Sequence, residues 1–440
     1  MQDDHNKSRS LPVPTGRVAR LTNFGAMATG ILGAVVANGA RQLARGQRPD
    51  LQNLLLTPAN AMRLTQSLSQ MRGAALKMGQ MLSMDSGVVL GPEITAILAS
   101  LRDDAAPMPP KQLQTVLNAA WGTGWYGRFR RFDLRPFAAA SIGQVHRATL
   151  PDGRDLAIKV QYPGVRASID SDIANMAALM RLPGLFPQSM DLAPLLAAAS
   201  RQLHTEADYT AEATHLTRFH TLLAKDPRFV VPEFYNDLST SQVLAMRYVD
   251  SQCLDTLENA PRDLRDKVAG HLIDLTLQEL FDFGAMQTDP NLANYRYIAK
   301  TGQIVLLDFG AVQPIAAETS VDFRALLNAA LGGTPDDIRA AMIKIGYFTS
   351  TTPQRDLIQA MFCTAMEPLR RGGIFDFATS DLLDRLRQMG LAIGQDRDLA
   401  HVPPAATLFL HRKIGGMYLM AAKLRARVAL GSLVEPYRKG

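Results

Sequence analysis

Gln287-Thr-Asp-Pro-Asn-Leu-Ala-Asn294, followed closely by Ile304-Val-Leu-Leu-Asp-Phe-Gly310, decides how this chain of 440 residues is read. Asp289 stands five residues before Asn294, and fourteen residues further on Asp308 closes an apolar run that reads as a strand. Magnesium is a hard ion that takes oxygen ligands, and an asparagine and an aspartate from separate loops supply two. Either motif alone has a bland reading: an Asx-turn at Asp289, a surface carboxylate at Asp308. Together, at this spacing, they assign Asn294 and Asp308 to a metal and Asp289 to catalysis.

The D-x4-N and D-F-G pair is the spacing of a kinase catalytic loop and its metal-binding triplet. The upstream half agrees. Leu156-Ala-Ile-Lys159 matches the strand lysine motif whose ammonium meets the α- and β-phosphates. Ahead of it, Ala138-Ala-Ala-Ser-Ile-Gly-Gln-Val145 aligns with a glycine-rich phosphate loop, but Ala138 and Ala140 replace two glycines and only Gly143 remains. Glycines let backbone amides approach phosphate, so alanines change how a nucleotide sits. The residues assigned to the nucleotide are Ala138, Ala139, Ala140, Ser141, Gly143, Val145 and Lys159, with Met246 and Tyr248 from the strand candidate 243–248. A buried lysine needs a carboxylate. Glu206, Asp208 and Glu212 lie in one stretch, read as a single helix with Glu206 and Glu212 on different faces. Glu212 is paired with Lys159 and Glu206 with a second lysine, an assignment that could be exchanged. Lys77, with Gln80 on the same helix face, is the candidate second lysine; by itself that pair reads as a solvated stripe.

Composition narrows the rest. At 47% hydrophobic and 20% charged the chain is an ordinary globular one, long enough for two or three domains. Two cysteines without metal-type spacing exclude a disulfide framework and a zinc site. The net charge of +6 is concentrated at the ends: residues 411–440 hold seven Lys or Arg against Glu435 alone. Such ends suit nucleic acid, an anionic membrane surface or plain solvated helices. Aromatic interleaving is sparse, so no platform for stacking single strands is visible. Leu21–Ala40 is free of charge over twenty residues but is built from Gly, Ala, Thr and Asn. It reads as a buried or interfacial helix ahead of a membrane span. Its small residues at four-residue spacing allow a homodimer through residues 21–40.

Along the chain, 1–16 reads as a disordered tail, 17–56 as a membrane-proximal helical segment and 57–135 as a helical extension with a helix from Thr57 through Met84. Strands are expected over 141–150 and 155–161, turning at Pro151-Asp-Gly153. Helices are expected over 166–182 and 195–223, strands at 229–231, 243–248 and 304–307, a helix from Pro261 to Phe283, and helices throughout beyond Val321. The fold class is α+β and two-lobed, with 136–249 as one lobe and 250–440 as the other.

These residues resemble the UbiB/AarF family of atypical kinase-like proteins. Lys77-Met-Gly-Gln80 looks like its K-x-G-Q signature, Ala138–Ser141 like its alanine-rich loop and Glu206-Ala-Asp208 like its E-x-D motif. Gln287-Thr-Asp-Pro-Asn resembles the ubiquinone-synthesis branch, and 18–25 and 409–416 agree. The resemblance spans roughly 17–430. It implies a two-lobed kinase-like fold with an N-terminal helical extension packed over the active site. It also implies ATP and Mg2+ held between lobes, and ATPase or atypical kinase activity supporting ubiquinone (coenzyme Q) biosynthesis. Prenylated quinone intermediates or lipid membrane, and ubiquinone-biosynthesis enzymes, are the implied partners, with no nucleic acid. The implied place is the cytoplasmic side of an inner membrane, peripherally, or the mitochondrial equivalent.

Ordinary protein kinase activity fits less well. Thr288 stands where catalytic loops carry Arg, Asn291 where they carry Lys, and no A-P-E follows Asp308. A pseudokinase scaffold or a protein kinase of unidentified substrate is the alternative. Intact Lys159, Asp289, Asn294 and Asp308 favour nucleotide turnover with poor phosphorylation of protein in trans.

Overall fold

The computed structural model describes residues 107–140, 142–180, 193–394 and 404–438, with a few positions between 29 and 42. Lys77, Gln80, Ser141, the 57–84 helix, the 1–16 tail and most of 21–40 lie outside the described residues. The chain divides into two compact units, Met1–Thr214 with Glu233–Tyr248, and His215–Pro232 with Val249–Gly440.

In chain order the elements are α1 (Pro110–Trp121), β1 (Arg131–Phe132), β2 (Ala138–Ala139), β3 (Gly143–Thr149), β4 (Asp155–Gln161), α2 (Val165–Met180), α3 (Ala193–Glu206), α4 (Tyr209–Leu222), β5 (Phe229–Val230) and β6 (Val243–Arg247). There follow β7 (Gln252–Cys253), α5 (Arg262–Phe281), β8 (Ala285–Gln287), β9 (Tyr295–Ile298), β10 (Gln303–Leu306), β11 (Val312–Pro314), α6 (Ala317–Gly332) and α7 (Pro335–Ile345). The chain ends with α8 (Arg355–Ala365), α9 (Glu367–Arg371), β12 (Phe375–Asp376), α10 (Leu382–Gly394), α11 (Ala405–Lys423), β13 (Arg427–Val428) and α12 (Leu430–Val434).

Unit 1 is built on the antiparallel sheet β1-β3-β4-β6, with β2 added to β3. Its centre follows from alternation: Leu156, Ile158 and Val160 are fully buried on one face of β4. The turn into β4 uses Gly153 at φ 90°, a conformation that favours glycine, and the Leu150 amide donates to the Arg154 carbonyl at 2.9 Å. Trp121, Trp125, Phe129 and Phe132 form an aromatic cluster, and Phe132 stacks on His146 at 5.5 Å. Gln144 and His146 are buried polar groups on this face and are met by partners, as burial demands. Gln144 Oε1 accepts from the Met108 amide, its amide nitrogen faces His146 Nε2 at 2.8 Å, and His146 Nδ1 faces the Asp133 carbonyl at 2.8 Å. Those partners select the neutral tautomer with its hydrogen on Nδ1.

Unit 2 holds the mixed sheet β5-β10-β9-β7, in which β10 runs parallel to β5 and antiparallel to β9. A smaller pair, β8 with β11, places Gln287 opposite Val312. Leu280, Met286, Phe323, Leu326, Met342 and Phe348 pack into one core. Thr334 caps α7 in a reciprocal box with Asp337.

Three expectations change. The 195–223 helix is interrupted at Ala207 and Asp208, giving α3 and α4. The region beyond Val321 is not wholly helical, because β12 pairs with β13. The basic stretch 411–438 is compensated locally: Arg412 pairs with Asp289, Lys413 with Glu279, Lys423 with Asp255, Arg425 with Glu258, Arg427 with Asp376 and Arg438 with Glu435. Most of the acids that answer this charge lie far back in the sequence. No helix among the described residues is long and apolar enough to cross a membrane.

Burial lowers the pKa of His146 to about 4, while its unfolded value is 6.5. Above pH 6.5 the ring is neutral in both states. Below it the unfolded chain takes a proton that the folded chain refuses until about pH 4, so stability falls across that window. We expect the loss to reach about 3 kcal/mol at its acid end. Thermal melting between pH 7 and pH 4.5 checks this, with His146→Gln giving a flatter profile.

Candidate active site

In unit 1, residues directly opposite each other across paired strands share a face. Ala138 lies opposite Val145, Val145 opposite Lys159, and Lys159 opposite Leu244. Met246 lies opposite Ala157, two residues from Lys159 and therefore on the same face. Ala138, Val145, Lys159 and Met246 thus share one face of the sheet, whereas Ala139, opposite Gln144, belongs to the other. Tyr248 sits just past β6. Its amide donates to the Asp155 carbonyl at 2.9 Å, and its ring carries the Arg147 guanidinium 4.2 Å from the centroid.

Lys159 Nζ donates to both oxygens of Glu212, at 2.8 and 3.0 Å. Both residues are buried, the Glu212 side chain to 1% exposure. The helix break explains how Glu212 arrives there. Asp208 Oδ1 accepts from the amides of Thr210 and Ala211, so Asp208 acts as the N-cap of α4 and is not a second acid on one helix face. Gln161 ties the break to β4 by donating from Nε2 to the Ala207 carbonyl at 2.9 Å. Glu206, at the end of α3, is buried as well. Its expected lysine, Lys77, lies outside the described residues.

The alanine-rich stretch is a hairpin. The Phe137 amide donates to the Val145 carbonyl and the Ala140 amide to the Gly143 carbonyl, each at 2.9 Å. Those two amides are engaged within the protein. Gly143 does not adopt a positive φ. Its lack of a side chain is required by packing, since a Cβ there would sit 2.3 Å from the Val160 carbonyl oxygen and 3.1 Å from the Tyr209 hydroxyl.

In unit 2, β8 delivers Gln287, Thr288 and Asp289 as a buried run. Thr288, where a catalytic-loop Arg would stand, binds the chain beyond Asp308: its amide and hydroxyl both donate to the Ala311 carbonyl, at 2.9 and 2.7 Å. The Asp289 carbonyl accepts from Gln287 Nε2 at 2.8 Å, the Asn291 amide at 2.8 Å and Asn294 Nδ2 at 3.0 Å. The Asn294 carbonyl accepts from the Leu307 amide at 3.0 Å, which brings Asn294 beside the residue preceding Asp308. Asp308 Oδ1 accepts from the Gly310 amide, and Phe309 is buried with its ring 4.9 Å from that of Phe219. One carboxylate and one amide oxygen suit magnesium, which keeps waters and takes its other ligands from phosphates. Among the described residues no group of three or more His, Cys, Asp or Glu could hold a metal ion.

Sequence reading missed the residues behind this loop. Arg412 Nη2 donates to Asp289 Oδ1 at 3.0 Å, both side chains being nearly buried. Lys413, the next residue of α11, is 1% exposed and lies 2.8 Å from Glu279 Oε2. Burial pushes the Glu279 carboxyl up, against the pull of Lys413. Burial alone would lower Lys413, but Glu279 and Tyr295 outweigh it and leave the lysine raised. The available signal was two adjacent cations inside the largely apolar stretch 405–422.

A family model described as the ABC1 atypical kinase-like domain matches residues 100–341. The chain belongs to the ABC1 atypical kinase-like family. It is similar to the mitochondrial atypical kinase COQ8 of Saccharomyces cerevisiae, at 36% identity over 97% of this chain and 86% of that protein. It is also similar to the mitochondrial atypical kinase COQ8B of Rattus norvegicus, at 35% identity over 98% of this chain and 82% of that one. Among solved structures, Rv3197 of Mycobacterium tuberculosis, solved in complex with erythromycin, shares the fold at a TM-score of 0.59. That likeness covers 87% of this chain and 97% of the other at 24% identity. As a member of the ABC1 family the chain is an atypical kinase-like enzyme with a two-lobed α+β fold.

Gly143→Ala tests the packing account of the alanine hairpin. We expect a loss of stability of about 2 kcal/mol from overpacking against β4, seen in thermal melting, including in the absence of nucleotide.

Proposed function

We propose that this atypical kinase-like enzyme binds ATP with magnesium and turns it over in support of ubiquinone biosynthesis at a membrane, without efficient phosphorylation of protein in trans. The observation that carries the reading is the buried Lys159–Glu212 pair on the sheet face that also holds Ala138, Val145 and Met246. An ammonium held at a fixed place by a carboxylate is what phosphate contact requires. Unit 2 supplies the other groups: Asn294 and Asp308 would hold the metal, and Asp289 is the acid–base residue. When bound, magnesium–ATP supplies the phosphoryl group and neutralises its developing charge. Lys159 orients phosphate oxygens. Asp289 offers a carboxylate whose Oδ1 is already held by Arg412.

Poor action on protein is supported by the chain after the metal triplet. Only residues 309–316 separate Asp308 from α6, and three of them form β11. There is no room there for a long segment that would receive a peptide. The Gln287-Thr-Asp-Pro-Asn loop supports the ubiquinone branch, with prenylated quinone intermediates or the enzymes that process them as the things acted on. The mitochondrial relatives support the mitochondrial alternative, and a peripheral place on an inner membrane completes the proposal.

Purified full chain with magnesium and vesicles containing anionic lipid should release ADP, and Asp308→Asn should lower the rate roughly a hundredfold. An unchanged rate in that variant would overturn turnover at this site. Replacing Ala138 with Gly loosens the hairpin on the Lys159 face and should shift the preference between ATP and ADP. Titration of both nucleotides checks it, and equal affinities in variant and parent would count against this role for the alanine.

A further inference from the structure

Glu279, Lys413, Gln287 and Tyr295 are buried polar groups that the proposed chemistry does not use. They come from four elements: α5, α11, the end of β8 and the start of β9. Lys413 Nζ lies 2.8 Å from Glu279 Oε2, 3.4 Å from Gln287 Oε1 and 3.3 Å from the Tyr295 hydroxyl. The Gln287 amide nitrogen then donates to the Asp289 carbonyl, the same oxygen that accepts from Asn294 Nδ2.

Donor and acceptor types make this a one-way chain. An ammonium can only donate, so it must face the oxygen of the Gln287 side chain. That orientation turns the Gln287 nitrogen toward the Asp289 carbonyl. A carbonyl can only accept, so Asn294 must also present its nitrogen there, and its oxygen is left directed elsewhere. Oxygen is the atom that magnesium takes from an asparagine. Reversing the Gln287 amide would set its nitrogen against the ammonium and its oxygen against a carbonyl, two repulsive contacts in a buried place. The charge on Lys413 therefore determines which end of the Gln287 amide meets the Asp289 carbonyl, and that shared carbonyl in turn fixes the Asn294 amide.

We propose that the buried Lys413–Glu279 pair, acting through Gln287 with Tyr295 in support, is a positioning device that holds the Asp289 carbonyl and Asn294 in the orientation that binds metal. This rests on the reading of Asn294 as a metal ligand. Groups that orient a ligand from behind commonly set metal affinity by ten- to a hundredfold when removed.

The test measures magnesium, and separately manganese, dependence of nucleotide binding by the full chain with a fluorescent ATP analogue. Removing one member of a buried ion pair leaves an unpaired charge and endangers folding. The principal variant is therefore the double Glu279→Gln, Lys413→Met, and the second is Gln287→Met, which keeps the ion pair. Both should melt cooperatively and bind the analogue without metal as the parent does. Each should need about tenfold more magnesium for half of the metal-dependent gain. Tyr295→Phe should give a smaller shift in the same direction. A magnesium requirement equal to the parent's in a folded double variant, or in Gln287→Met should the double variant not fold, overturns the proposal. A parent whose nucleotide binding ignores metal would instead overturn the assignment of Asn294 and Asp308.

Discussion

A charge taken out of water must be met by an opposite charge or by a full set of hydrogen bonds, and much of this protein is arranged by that constraint. Lys159 with Glu212, Arg412 with Asp289 and Lys413 with Glu279 are all nearly or wholly buried. Each pair joins segments far apart in the chain: β4 to α4, α11 to the loop after β8, and α11 to α5. Because neither partner can leave without stranding the other, each pair fixes the position of a backbone segment as well as of two side chains. Buried pairs of this kind are weak sources of stability.

The second recurring device is the backbone carbonyl used as an anchor for amide side chains. The Asp289 carbonyl takes three donors, which tie the loop after β8 together at the residue proposed as its acid. Thr288 does the same toward Ala311. In ordinary kinase loops an arginine stands at that position. Here a small hydroxyl residue ties the loop to the segment after Asp-Phe-Gly, and the guanidinium beside Asp289 comes from α11 instead.

Much of the site was legible because its residues recur at short, characteristic spacings. Asp289 to Asn294, the strand before Asp308 and Leu156-Ala-Ile-Lys159 are local patterns, and local patterns survive in a linear reading. The strands and turns around them were legible for the same reason, since alternation and the Pro-Asp-Gly turn are short-range signals. The break at Ala207–Asp208 was harder. Asp208 reads as one more helix-surface acid until its side chain is seen taking the Thr210 and Ala211 amides. Gly143 reads as part of a phosphate loop, and the sequence does not show that the Val160 carbonyl on the neighbouring strand also leaves no space for a side chain there. The pairing of the basic C-terminal stretch was hidden for a related reason. Its partners Asp255, Glu258, Glu279 and Asp289 lie more than a hundred residues earlier, so a running count of charge saw an excess where the fold has pairs.

The sequence by itself determined the chemical inventory: a lysine on a strand, an acid, two proposed oxygen ligands, alanines where glycines are usual, and the α+β order of elements. These depend on residue type and on separations of a few residues, which a chain carries whether or not it is folded. Only the tertiary structure decided which carboxylate meets Lys159, which way the amides of Gln287 and Asn294 face, and that α11 brings two adjacent cations to Asp289 and Glu279. Those outcomes depend on which distant segments share a buried space, because an unpaired charge is costly there and each donor must find its acceptor.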